Sequence, residues 1–195
     1  NRGIFVINEL PDLQARIQVS LFNILQEGDI QIRGFKLRMP LDILFVFTAN
    51  PEDYTNRGSI VTPLKDRIES QILTHYPKTI ETSLAITEQE ANILPAQKEK
   101  VVVSDLVKRL IEQVSFEART NEYVDKKSGV SARLTIAAFE AAVSSAERRA
   151  IIHNEKQTQV WISDLSGIIP AITGKIELVY EGEQEGPYEV ALNLL

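Results

Sequence analysis

GIFVINEL, residues 3–10, is the stretch that decides the fold of this 195-residue chain. Its first five residues, Gly3 to Ile7, form a continuous apolar run with β-branched members, and the polar and acidic pair Asn8-Glu9 follows. A short apolar run without alternation is typical of a strand that is buried on both faces of a parallel sheet. A second such run, Ile43 to Thr48 (ILFVFT), ends in Ala49-Asn50-Pro51. The two runs predict an α/β fold.

The segments around these strands complete the α/β part. A helix is predicted from Pro11-Asp12 to Gly28 by an apolar stripe of Leu13, Ile17, Leu21, Ile24 and Leu25. Two short alternating segments flank Arg33-Gly34 and predict a hairpin. Thr62, followed by Pro63, predicts an N-cap and a short helix to Glu69. Ser70 to Tyr76 then predicts a third strand.

From Lys78 onward the apolar residues follow helical spacing. Helices are predicted after Ser104-Asp105, from Thr135 as N-cap to about Ala150, and after Ser163-Asp164. Trp161 is predicted to lie in the core of this helical part. The tail carries five glutamates among Gly and Pro and is predicted to be solvated, with a strand-like end as the alternative. We therefore expect two domains, residues 1–77 and residues 78–195.

Composition excludes several classes of protein. The net charge is −6, with 21 Lys and Arg against 27 Asp and Glu, which argues against general binding to nucleic-acid backbones. The chain has no cysteine and no apolar run of 18 residues, so a thiolate nucleophile, a disulfide framework and a transmembrane helix are excluded. A cytoplasmic protein with no membrane partner is expected. Because the chain opens inside its first strand, we also expect it to be a piece of a longer protein.

Polar residues follow the predicted strands at the ends where open α/β sheets bind ligands. They are Asn8-Glu9, Asn50 and, after a loop, Asp66-Arg67. Nucleotide hydrolases use an apolar strand ending in a polar and acidic pair to hold Mg²⁺ and polarise water. Taken alone, the same pattern equally fits a carboxylate that caps the next helix.

The order of these motifs resembles the AAA+ ATPases from their Walker B strand onward. The motifs are GIFVINEL, FVFTANPED and TPLKDRIES, and the branch they resemble comprises the magnesium-chelatase ATPase subunits and the MoxR-type ATPases. The resemblance covers most of the chain and is strongest over residues 2–76. It implies a partial P-loop core of parallel strands with helices, followed by a mainly α-helical lid domain, and it implies ATP and Mg²⁺ as cofactors.

The resemblance also implies roles for individual residues. Glu9 matches the catalytic Walker B glutamate that orients the attacking water, and Asn50 matches sensor 1. Arg67 matches the arginine finger, which acts in trans on the nucleotide of a neighbouring subunit. Asp66 matches the acid before the finger, at the nucleotide-binding subunit interface. Arg133, within GVSARL at residues 129–134, matches sensor 2 and would reach the γ-phosphate from the lid.

Two departures from the family pattern affect these expectations. Asn8 stands where the family has the Walker B aspartate, and its amide oxygen brings no negative charge to Mg²⁺, so weaker metal binding is expected. No phosphate-binding loop of the form G-x-x-x-x-G-K-[ST] occurs in the 195 residues, because Gly174-Lys175 is followed by Ile176. In the family that loop precedes Walker B. We therefore expect the full-length protein to hydrolyse ATP and this chain alone to be inactive.

Three functions remain open at this point. The first is a ring-forming, hexameric ATPase that remodels a protein partner, and the second is an ATPase of the transcription-activating branch. The third is a degenerate scaffold without ATP turnover, disabled by Asn8. Plainer interpretations of the candidate residues also stand: Asn50 before Pro51 fits a turn, Arg67 fits a charged helix surface, and Arg133 fits a solvated residue before a helix.

Overall fold

The computed structural model describes residues 2–31, 38–50 and 59–195. The chain divides into two compact units, Asn1–Thr74 and His75–Leu195. The first is an α/β unit and the second is mainly helical, which confirms the predicted fold class. The hairpin turn predicted at Arg33-Gly34 lies outside the described residues, as does most of the polar loop that precedes Ile60.

The α/β unit is built on one pair of parallel strands. Strand β1 (Arg2–Ile7) pairs with β4 (Asp42–Phe47) in a register that sets Arg2 opposite Asp42 and Ile7 opposite Phe47, which confirms the two predicted parallel strands. The short strands β2 (Asp29–Gln31) and β3 (Arg38–Pro40) pair antiparallel, as predicted for a hairpin. The elements of this unit are β1 (Arg2–Ile7), a 3-10 helix (Leu10–Asp12), α1 (Ala15–Glu27), β2 (Asp29–Gln31), β3 (Arg38–Pro40), β4 (Asp42–Phe47) and α2 (Thr62–Lys65).

Helix α1 ends as the sequence predicts but begins later. Its C-cap is Gly28, with a φ of 64°, a left-handed conformation that glycine adopts without steric cost. Pro11 and Asp12 belong instead to the preceding 3-10 helix, and Gln14 is the N-cap of α1.

The predicted burial of β1 on both faces is wrong for the described residues. Ile4, Phe5 and Val6 are 71%, 50% and 57% exposed. A parallel strand is buried on both faces only when helices cover the sheet and strands flank it. In the described residues the sheet that contains β1 has two strands, so the apolar side chains of β1 stay largely uncovered.

The predicted strand at Ser70–Tyr76 is also absent. These residues have no strand assignment, and Ile72 and Leu73 are 90% and 77% exposed. A strand exists only when a neighbour accepts and donates its backbone hydrogen bonds. Within the described part of the chain, no strand pairs with this segment. Its apolar composition was therefore insufficient to predict a strand.

The helical unit has a continuous hydrophobic core. Buried hydrophobic side chains form one cluster that runs from Val101, in the first of its two short strands, to Leu194 in its last helix. The elements are α3 (Ile80–Glu90), α4 (Pro95–Lys100), β5 (Val101–Val102), α5 (Asp105–Thr120), α6 (Arg133–Ile152), β6 (Thr158–Gln159), a 3-10 helix (Ile162–Ile168), α7 (Ile169–Thr173), α8 (Tyr180–Glu185) and α9 (Pro187–Leu194).

One of three predicted N-caps is confirmed. Ser104 Oγ accepts a hydrogen bond from the Val107 N–H at 3.4 Å at the start of α5. Thr135 does not cap α6, because that helix begins at Arg133 and Thr135 is buried inside it. Thr62 does not cap α2 either, since it is already helical and Val61 is the N-cap. Helix α2 also ends at Lys65 rather than at Glu69.

The predicted burial is wrong for both the tail and Trp161. The tail forms α8 and α9, and Val190, Ala191 and Leu194 are buried in the core. The tail glutamates had suggested a solvated segment, but the apolar residues of α9 are spaced to cover one helix face. Trp161, predicted to lie in the core, is 52% exposed.

No helix in the described residues is both long and apolar enough to cross a membrane.

Candidate functional site

The carboxyl ends of β1 and β4 leave the sheet together. Ile7 lies beside Phe47 in the parallel register, and the chains stay hydrogen-bonded beyond the strands. The Thr48 N–H donates to the Ile7 carbonyl at 3.0 Å, and the Leu10 N–H donates to the Thr48 carbonyl at 2.9 Å. The residues that follow each strand, including Glu9 and Asn50, are therefore at the same edge of the sheet, where ligands bind in open α/β sheets.

Glu9 has an unusual backbone conformation at this edge. Its φ and ψ are 52° and 55°, in the left-handed region that costs a residue with a Cβ about 1 kcal/mol or more. The Glu9 N–H donates to Thr48 Oγ1 at 2.9 Å, which holds the strained residue in place. The Glu9 side chain is exposed. The turn after β1 thus presents a carboxylate to solvent from a fixed backbone.

Asn8 is tied to the same threonine. Thr48 Oγ1 donates to Asn8 Oδ1 at 2.5 Å and at the same time accepts the bond from Glu9. One threonine therefore connects the end of β4 to both residues that follow β1. An amide oxygen has two lone pairs, so the bond from Thr48 leaves one free to meet a cation or its water.

Asn8 and Glu9 could supply only part of the ligands of a Mg²⁺ ion. In residues 2–31, 38–50 and 59–195 no group of three or more His, Cys, Asp or Glu side chains is placed to hold a metal. Mg²⁺ does not require such a cage, because it commonly binds one or two protein oxygens together with phosphate oxygens and water. Asn8 Oδ1 and the Glu9 carboxylate fit that limited role and no more.

Helix α1 positions the segment that leads to Arg67. Gln18 is buried, and its Oε1 accepts the Val61 N–H at 2.9 Å while its Nε2 donates to the Ser59 carbonyl at 3.3 Å. Gln18, Phe22 and Gln26 follow each other at intervals of four residues and so lie on one face of α1. This face holds residues 59–67 through the Gln18 contacts to Ser59 and Val61 and through the contacts of Phe22 and Gln26 to Arg67.

Arg67 is anchored on that face of α1. Its Nη2 donates to Gln26 Oε1 at 2.7 Å, its Nη1 donates to the Pro63 carbonyl at 2.6 Å, and its guanidinium lies 5.2 Å from the centre of the Phe22 ring. Every partner is neutral, so the positive charge of Arg67 remains uncompensated by these contacts. Asp66 is exposed and ends α2 as its C-cap.

Asn50 and Arg133 have free side chains among the described residues. Asn50 is exposed beyond the end of β4, at the edge that it shares with Glu9. Arg133 is the first residue of α6 and belongs to the helical unit. Its side chain is exposed, and its N–H donates to Ser131 Oγ at 3.3 Å. The structure thus groups Asn8, Glu9 and Asn50 at one edge, and Arg133 is described within its own unit.

Sequence reasoning overlooked three residues that support the site: Thr48, Gln18 and Gln26. The spacing of Gln18, Phe22 and Gln26 was available as a signal, because a polar and aromatic stripe on a helix that opposes its apolar stripe calls for partners. Thr48 offered no signal, since threonine is common in strands.

No protein-family model and no curated protein matches the chain. Among solved structures the chain is similar to one described as a "putative ATPase" from Cytophaga hutchinsonii, with 21% sequence identity and a TM-score of 0.38. The similarity covers 98% of this chain and 65% of that protein, so the chain spans about two thirds of its length.

Proposed function

We propose that this chain is the part of an AAA+ ATPase that runs from the Walker B strand through the lid, in a protein that forms a ring and remodels a protein partner. The observation that carries the proposal is Glu9. Its carboxylate projects from a fixed, strained backbone at the sheet edge that also carries Asn50, a position from which it could orient an attacking water. The magnesium-chelatase or MoxR-like branch is proposed from the motif order alone.

In this proposal each polar residue has one task. The Glu9 carboxylate accepts a hydrogen bond from the attacking water and orients it, while the Asn50 amide contacts the same water or the γ-phosphate. Arg67 stabilises the charge that develops on the phosphate of a neighbouring subunit. To do so it exchanges the neutral oxygen of Gln26 for a phosphate oxygen, which is the stronger acceptor for a guanidinium.

ATP and Mg²⁺ are the proposed cofactors. Mg²⁺ neutralises charge on the phosphates when it is bound, and Asn8 Oδ1 is the residue of this chain that would help to hold it. Arg133 would contact the nucleotide from the lid, and Asp66 would lie beside the finger at the subunit interface. The backbone amides that cradle the triphosphate in such enzymes belong to a phosphate-binding loop, which the 195 residues do not contain.

Complementation between two inactive variants tests the trans arrangement. In the protein that carries this chain together with a phosphate-binding loop, we expect Glu9→Gln to lower ATP turnover by about 10²-fold or more. We expect Arg67→Ala to lower it on the order of 10³-fold while ATP binding is retained. Mixed rings should recover turnover, because some interfaces then combine an intact Glu9 with an intact Arg67. Glu27→Gln, an exposed carboxylate of the same unit, is the matched control.

The outcomes separate the roles. If mixed rings form and recover no activity, Arg67 does not act in trans. If Glu9→Gln behaves like Glu27→Gln, Glu9 is a helix-entry residue and the ATPase proposal fails.

Asn8 favours a second candidate, an AAA+ scaffold without turnover. In that case the parent binds Mg·ATP weakly and hydrolyses none. Steady-state turnover of the parent and of an Asn8→Asp variant distinguishes the two functions. Turnover that appears only with Asn8→Asp supports the scaffold, whereas turnover in the parent supports the enzyme.

A further inference from the structure

Arg133 owes its position to the backbone that precedes it. Within the described residues its side chain is exposed and has no hydrogen-bond or ionic partner. An arginine that must reach a ligand is useful only if its starting point is fixed, because the side chain alone carries about 2 kcal/mol of rotamer entropy. The segment Gly129–Ala132 therefore decides where Arg133 enters α6.

Val130 is the point at which this segment is fixed. Its side chain is 1% exposed and belongs to the core of the helical unit. Its N–H donates to the Tyr76 hydroxyl at 3.0 Å, and its carbonyl accepts from Arg119 Nε at 3.2 Å. Both backbone groups of one residue are thus held by side chains, three residues before Arg133.

Tyr76 and Arg119 also hold each other. The Arg119 guanidinium lies 4.4 Å from the centre of the Tyr76 ring and 5.2 Å from that of Phe116, within the range of cation–π attraction. Burial lowers the pKa of Arg119, but arginine remains cationic in proteins. The aromatic ring and the cation therefore form one support for the Val130 backbone.

Gly129 shows how closely the hydroxyl of Tyr76 approaches the segment. Its φ is 71°, and a Cβ at this position would collide with the Tyr76 hydroxyl oxygen. Both the conformation and the lack of space require glycine here. Tyr76 follows the division between the two units by two residues and had been predicted as the end of a strand, so the sequence alone gave it no role.

We propose that Tyr76 is a positioning residue for Arg133, which acts by fixing the backbone of Val130 and hence the entry of α6. The inference rests on the proposed function of Arg133 as a nucleotide contact. In this role Tyr76 acts through Val130 and not on the nucleotide. Its hydroxyl supplies the acceptor for the Val130 N–H, and its ring supplies the surface on which Arg119 lies.

Hydrogen exchange in the 195-residue chain tests the local contact. In Tyr76→Phe the ring remains for Arg119, but the Val130 N–H loses its acceptor, so its protection should fall by about tenfold. Tyr180→Phe, which removes the hydroxyl of a tyrosine that is 70% exposed, is the control and should leave Val130 protection unchanged. Unchanged protection of Val130 in Tyr76→Phe would overturn the inference.

Gly129→Ala supplies an independent check of the same geometry. In the parent background the new methyl group meets the Tyr76 hydroxyl, whereas in the Tyr76→Phe background that oxygen is gone and only the cost of the positive φ remains. The loss of Val130 protection caused by Gly129→Ala should therefore be smaller in the Tyr76→Phe background. Equal losses in both backgrounds would contradict the close approach.

A double-mutant cycle tests the link to Arg133. In the protein with its phosphate-binding loop, we expect both Arg133→Ala and Tyr76→Phe to raise the dissociation constant for ATP. The increase caused by Tyr76→Phe should be smaller than that caused by Arg133→Ala by about tenfold. If Tyr76 acts through Arg133, adding Tyr76→Phe to Arg133→Ala should weaken binding no further. Additive losses would overturn the positioning role, because a purely structural residue would act without Arg133.

The two failures are distinguishable. If Arg133→Ala leaves ATP binding unchanged, the proposed role of Arg133 fails and with it the positioning role, even if Val130 exchanges as expected. If Arg133→Ala weakens binding and Tyr76→Phe does not, the positioning role alone fails.

Discussion

The two units use apolar residues in opposite ways. In the helical unit they form a continuous buried cluster, whereas in the α/β unit the apolar residues of β1 are largely exposed and those of β4 alternate between exposed and half-buried. Polar side chains do the organising in the α/β unit, where Thr48 joins the strand ends and Gln18 holds residues 59–61. The site geometry of the α/β unit is therefore set by polar contacts and not by a large core. The stability of the chain depends mainly on the core of the helical unit.

Separate expression of the two units tests this difference most strongly, because it shows whether each unit folds by itself. We expect residues 75–195 to unfold cooperatively by themselves, because the hydrophobic cluster lies wholly within them. Residues 1–74 should not fold alone, since Leu10 and Leu64 are the buried hydrophobic residues described there and small domains are already marginal. Thermal unfolding followed by circular dichroism checks both. A cooperative transition from residues 1–74 would contradict the contrast.

Two leucine substitutions, one in each unit, measure how much a buried and an exposed apolar side chain contribute to stability. Leu134 is fully buried in α6, and Leu134→Ala should lower the free energy of unfolding by about 3 kcal/mol through lost burial and the cavity left behind. Leu44 is 62% exposed in β4, so Leu44→Ala should cost below about 1 kcal/mol. Calorimetry of the whole chain registers the transitions of both units. Equal shifts from the two substitutions would show that Leu44 is covered in solution.

Two ion pairs extend the contrast to pH dependence. Asp164 is buried, and although burial opposes its ionisation, the bidentate hydrogen bonds from Arg149 and the Trp161 N–H hold its pKa below the usual value. Asp164 therefore binds its proton less readily in the folded state than in the unfolded state. Its contribution to stability is present above the ordinary aspartate pKa and is lost as the pH falls through the lowered value.

We accordingly expect Asp164→Asn to cost about 2 kcal/mol near neutral pH. The difference from the parent should be constant down to about pH 5 and should narrow as the pH drops below about 4. Asp42, whose pair with Arg2 is 72% and 91% exposed, is the control, and Asp42→Asn should cost below about 0.5 kcal/mol. Urea denaturation at several pH values measures both, and a difference that grows as the pH falls would have the wrong sign.

The sequence predicted those features that depend on local chemistry. The parallel strands, the hairpin pairing, Gly28 at the end of α1 and Ser104 at the start of α5 all follow from apolar runs, glycine conformation and capping side chains. Asn8, Glu9 and Asn50 were placed at one edge because parallel strands end together.

Apart from the pairing of β1 with β4, features that depend on distant partners escaped prediction. Ser70–Tyr76 has strand composition but no described neighbour to pair with, and Thr135 resembles a cap but pairs with Thr87 inside the core. The support of Val130 by Tyr76 joins residues 54 positions apart, which no local pattern indicates. The presence or absence of a tertiary contact therefore decides these features, and local composition does not.

The smallest expected effect on stability distinguishes Thr79, which caps a helix, from Thr62, which was predicted to cap one and does not. Thr79 Oγ1 accepts the Thr82 N–H at 3.2 Å at the start of α3, a cap in the helical unit that the sequence analysis did not predict. Thr62, the predicted cap in the α/β unit, makes no capping bond, and the side-chain contact at the entry of α2 is the one from the Val61 N–H to Gln18 Oε1. Thr79→Ala should therefore cost about 1 kcal/mol, with recovery in Thr79→Ser, whereas Thr62→Ala should cost only a few tenths. Calorimetry of the three variants measures the difference, and a larger loss from Thr62→Ala than from Thr79→Ala would mean that Thr62, not Gln18, organises the entry of α2.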